Sequence, residues 1–80
     1  MLTKRLKHGV RAMTFAAPSW GGSHDMLFVT EFYGKGQDQL GYWEAPAVLD
    51  EKGHVDQKAL ESFHEANCAM WEEDGGIETT

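Results

Sequence analysis

The sequence predicts an α+β domain: a three-stranded antiparallel meander followed by one amphipathic helix packed on it, in the order β-β-β-α. Three observations carry that expectation. Met26–Tyr33 (Met-Leu-Phe-Val-Thr-Glu-Phe-Tyr) is rich in aromatic and β-branched residues, as strands are. Clusters of glycine, proline, serine and acid break the chain at 18–23, 34–38 and 50–53. Beyond the last break, apolar residues recur with the period of a helix rather than of a strand.

The elements follow in order. Val10–Ala17 is the weakest strand, with Met13 and Phe15 on one face. Met26–Tyr33 is the strongest. Leu40–Leu49 follows it across the short loop Gly34-Lys35-Gly36-Gln37-Asp38, so the two should form a hairpin. Pro46 has no N–H to give a ladder, which puts the third strand at an edge or ends it there. The helix starts at Asp56, an N-cap residue, with Val55 before it placed to pack on Leu60. Leu60, Phe63, Asn67, Met70 and Trp71 share its inner face, and Gly75-Gly76 ends it.

Along the second strand, Phe28 and Phe32 point one way while Leu27, Val29 and Tyr33 point the other. A strand apolar on both sides expects cover on both sides, and one helix covers only one. Either the N-terminal segment or another chain, a second copy or a partner, should cover the rest. At 80 residues the chain builds one modest core that buries roughly 60% of its unfolded surface, so association would supply stability that is otherwise scarce. A lone cysteine, Cys68, makes no internal disulfide and fits a reducing, cytoplasmic setting. No apolar run reaches the roughly 18 residues of a membrane span, and no apolar stretch follows the basic start as in a secretory signal.

Charge is segregated. Residues 1–11 hold Lys4, Arg5, Lys7 and Arg11 and no acid, so +4; residues 12–80 set three lysines against all thirteen carboxylates, so −10. Residues 1–12 read either as a flexible basic arm or, with Met13 as an alternative start, as a dispensable extension. That leaves 13–75 as the domain and 76–80 as a tail. On the helix, Glu61, Glu65 and Glu72 line one side, and Glu73, Asp74 and Glu78 extend the negative end. A charge run is most often a solvated face. Here, however, Glu61 and Glu65 repel at i,i+4, and the last acids oppose the helix dipole by roughly 0.3–1 kcal/mol each. Rules broken locally without visible compensation point to function.

Other chemistries are poorly supported. His64 and Cys68 stand one helical turn apart, and His24, His54 and Asp56 are the only obvious further ligands; a zinc site normally shows two recognisable pairs. The same two residues make a poorly aligned nucleophile–base pair without a third orienting group. The glycine-containing loops match no phosphate-binding motif. Tyr33, Tyr42 and Trp43 offer stacking surfaces for a nucleic acid, but a body at −10 repels phosphate, and these aromatics are more simply sheet packing. Trp20 sits in a Ser/Gly loop with no obvious internal partner; tryptophan serves well as an interface anchor, although it also serves to plug the end of a sheet.

In general character, being short, acidic and free of motifs, the chain is similar to host-directed inhibitors of phages and mobile elements, including DNA mimics and anti-defence proteins. That likeness carries no residue. The expectation is a non-enzymatic, cofactor-free protein-binding module, an inhibitor or modulator of a basic, nucleic-acid-binding partner. Its contacts would be Glu61, Glu65, Glu72, Glu73 and Asp74, with Trp20 as anchor. The alternative is a structural subunit of an assembly or virion that packs through its apolar sheet face.

Overall fold

Residues 1–18 and 26–73 are described by the computed structural model, and they form an antiparallel sheet with one helix packed on it. The strands are β1 (Leu2–Arg5), β2 (Arg11–Pro18), β3 (Met26–Tyr33) and β4 (Gln39–Pro46), and the helix is α1 (Gln57–Glu73). The sheet order β1-β2-β3-β4 is a meander of four strands rather than the three expected.

The additional strand is β1, taken from the segment expected to be an arm. It pairs with β2 from Leu2↔Thr14 to Arg5↔Arg11. A four-residue strand with two cations and one apolar residue carries little strand signal. It has the charged, short character that protects a sheet edge from unwanted pairing. The chain reverses between β1 and β2 at Lys7–Gly9, where His8 (φ 63°) and Gly9 (φ 76°) both lie in the left-handed region. The N–H of Leu6 donates to Val10 O at 2.8 Å across this turn. Leu6 and Val10 themselves are buried, so the turn is part of the core and not a loose end.

Met26–Tyr33 is a strand over the residues expected. β4 begins one residue early and stops at Pro46, three residues before the expected end, where proline can no longer extend the ladder. It is also an edge strand. A bulge between Phe32 and Tyr33 inserts Leu40, so Phe32 faces Gly41 and Tyr33 faces Gln39. Beyond Pro46 the chain closes a small loop, in which Leu49 bridges Val55 and Asp50 accepts N–H bonds from Lys52 and His54, both at 2.9 Å. Asp56 caps α1 as expected: its carboxylate accepts the Ala59 N–H at 3.1 Å. Gly75-Gly76, expected to end the helix, lies outside the described residues.

The helix covers the sheet face that presents Ala12 and Thr14 from β2, and Phe28, Thr30 and Phe32 from β3. Phe32 is fully buried and stacks on Trp71 with ring centroids 4.0 Å apart, and Trp43 meets it edge-on at 5.4 Å. Gly41 lies beneath the indole, where a Cβ would already stand 3.6 Å from Trp71. Phe28 and Phe63 form a second aromatic contact at 5.7 Å. The buried stripe of α1 is Leu60, His64, Asn67, Cys68 and Trp71. Met70, expected within it, is 45% exposed: the seam is rotated toward His64 and Cys68, which takes Met70 off its edge.

Candidate functional site

Two places can bear chemistry: a polar cluster beneath the helix, and the sheet face that the helix leaves open.

The polar cluster begins with register. Thr14 and Thr30 are directly opposed on β2 and β3, and alternation points both at the helix. Both are completely buried, and their hydroxyls are 2.7 Å apart. One turn of α1 brings His64 and Asn67 over them. The Asn67 amide donates to Thr30 Oγ1 at 3.0 Å, and Thr14 Oγ1 lies 2.6 Å from His64 Nδ1. One proton assignment satisfies all four groups in a single direction: Asn67 donates to Thr30, Thr30 to Thr14, and Thr14 to the imidazole Nδ1. It requires a neutral His64. Burial, the larger influence, lowers the His64 pKa from its ordinary 6.5 against an opposing pull from Glu65, with Lys4 lowering it further.

Cys68 Sγ stands 4.0 Å from both ring nitrogens of His64. It is fully buried, and burial pushes its thiol above the ordinary 9.0, so it stays protonated at neutral pH. Among the described residues no three metal-ligating side chains converge, and His54 makes a 4.0 Å contact with Asp50 instead. With His64 Nδ1 engaged by Thr14 and the thiol sealed in the core, this cluster specifies how α1 seats on β2 and β3. The two threonines are the members that sequence reasoning missed. Their signal is faint: each sits in the middle of a strand between apolar residues on the same face, at Ala12-x-Thr14-x-Ala16 and Phe28-x-Thr30-x-Phe32.

The acidic side of α1 turns out to have local partners. Glu65 pairs with Lys4 of β1 at 3.4 Å, and the Glu72 carboxylate accepts the Lys7 backbone N–H at 3.1 Å. The basic tip and the acidic helix therefore face each other within the fold. Glu72, whose charge opposes the helix dipole, is offset by a donor from a distant segment that local rules cannot see. Glu61 and Glu73 are exposed. Asp74 and Trp20 lie outside the described residues.

The second face of the sheet has no cover among the described residues. β1 extends the sheet sideways and does not fold across it. Alternation puts Met13 and Phe15 of β2, Leu27 and Val29 of β3, and Tyr42 and Pro46 of β4 on this side. Phe15, Leu27, Val29 and Tyr42 line a shallow open depression of about 380 Å³ there. Val29 is buried by its neighbours on the sheet, whereas Tyr42 is 57% exposed. The charges on this face are segregated. Arg5 and Arg11 are direct cross-strand partners at one corner, and Glu31 and Glu44 lie toward the other side. The Tyr33 phenol donates to Glu31 Oε1 at 2.8 Å, and that bond raises its pKa from 10.0.

Comparison of the chain with protein-family models, with curated proteins and with solved structures gives no match.

Proposed function

We propose that this chain is a non-catalytic protein-binding module whose working surface is the open face of its sheet. The observation that carries this reading is the uncovered apolar patch built around Phe15, Leu27, Val29 and Tyr42. A contiguous apolar surface rimmed by charge is the common mark of a protein interface, and in a small domain it is costly to leave in water. Catalysis gains no comparable support, because the titratable and nucleophilic side chains His64 and Cys68 are sealed in the core.

The helix is a second candidate surface, favoured by the exposure of Glu61 and Glu73, which make no ion pair among the described residues. Two of its other acids already have partners, so it ranks below the sheet. No helix among the described residues is long and apolar enough to cross a membrane, and the partner is accordingly sought among proteins.

The test is a photo-crosslinking amino acid placed one position at a time in the full chain in cells. Phe15 and Tyr42 carry it on the sheet, and Glu61 and Glu73 on the helix. Discrete adducts from Phe15 and Tyr42, absent from the helix positions, are the expected result. Adducts confined to the helix positions, or none from the sheet, would contradict the reading.

A further inference from the structure

Resting on that reading of the sheet face, we propose that its occupant is a second copy of this chain, docked face to face about a twofold axis. Its Arg5 and Arg11 would lie against Glu31 and Glu44 of the first copy, and the reverse.

The argument is one of charge geometry. In a twofold pair the same patch meets itself, so a patch of one sign repels its mate, and a patch with opposite signs at opposite ends can attract it. This face is of the second kind. Arg5 and Arg11 sit directly opposite each other, a like-charge pairing that is unfavourable within the sheet, and neither pairs with a carboxylate among the described residues. Glu44 is likewise exposed and unpaired among them. The axis from the cations to the acids passes over Met13, Phe15 and Val29. Pairing the charges across the interface therefore brings the apolar centres together.

Register also gives the crossing angle. Arg11 aligns with Tyr33 and Glu44 with Val29, so the charge axis runs four residues along the strands and two strands across. With about 3.3 Å per residue and about 4.8 Å per strand, that is roughly 13 Å by roughly 10 Å, a diagonal. A twofold axis perpendicular to this diagonal turns the strands of one copy to run close to orthogonal to those of the other. Orthogonal stacking is one of the two arrangements that packed sheets adopt. Four strands, the longer ones of eight residues, offer a flat area of roughly 500 Å² by the same spacings. Pairing two copies removes roughly 1,000 Å² from water, the lower bound for a specific interface. The dimer should therefore be reversible, forming as concentration rises.

A charge-swap experiment tests this with the full chain in sedimentation velocity, folding being checked by circular dichroism. The wild type should shift from monomer to dimer with concentration. The double variant Arg5→Glu/Arg11→Glu and the double variant Glu31→Arg/Glu44→Arg should each weaken self-association by about tenfold or more. An equimolar mixture of the two should recover dimer. Wild type that stays monomeric, or a mixture that stays as weak as its components, overturns the proposal. If the wild type is monomeric while crosslinks at Phe15 and Tyr42 capture a different protein, self-association fails and the reading of the face as an interface stands. Absence of both would remove the two together.

Discussion

At the scale of single residues, the buried Thr14–Thr30–His64–Asn67 cluster makes the sharpest predictions. Thr14→Val keeps the shape and removes the hydroxyl that links Thr30 to the imidazole. Leaving a buried acceptor unpaired costs about 1–3 kcal/mol. Urea unfolding of this variant should show that loss with an unchanged slope, and a loss below about 0.5 kcal/mol would contradict the network. His64 adds a pH dependence. Its folded pKa lies below the ordinary 6.5, so the unfolded chain takes up the proton first. Stability is then full above the unfolded value and falls as pH drops below 6.5, until the folded value is reached. Denaturation midpoints across that range should decline, and they should flatten in His64→Asn. Asn67 was legible in the sequence as part of the stripe. The threonines were not, because only the register of two strands makes them neighbours.

The elements differ in how openly the sequence declares them. β3 has composition on its side and α1 has period and cap, so both were legible in outline. β1 has neither. Its place depends on the turn at His8-Gly9, on the Lys4–Glu65 pair, and on burial of Leu6 and Val10, all of them non-local. Gly9 is the test of this element: a Cβ there would come within 2.6 Å of the Lys35 stem, on a backbone already in the left-handed region. Gly9→Val should destabilise the protein by more than about 1 kcal/mol and raise amide exchange in β1 first. The ion pair matters far less, because both of its side chains are half-exposed or more. Lys4→Ala should change stability by less than about 1 kcal/mol. In the helix, Trp71→Ala would remove the ring that stacks on Phe32 and should cost about 3–5 kcal/mol, most of the stability of a domain this small. Met70→Lys, outside the seam, should cost little.

For the whole molecule, the charge segregation visible in the sequence has two structural outcomes. Lys4 and Lys7 meet the acids of α1 and close the fold. Arg5, on the opposite side of the same short strand, joins Arg11 on the open face. Alternation along β1 thus divides one basic tip between an internal and an external role. The sequence could register the two-sided apolar pattern of β3, and with it the need for cover, because alternation is local. It could not show that the N-terminal segment would add to the edge and leave the second face bare. Two methionines on opposite sides of the sheet offer the most direct test of the central claim, that this face is the working surface. Met13 lies on the open face, and Met70 on the outside of the helix. Hydroxyl-radical footprinting of the full chain, dilute and then concentrated, should show Met13, Phe15 and Tyr42 becoming protected while Met70 stays reactive. Protection of Met70 with an unchanged open face would contradict the account.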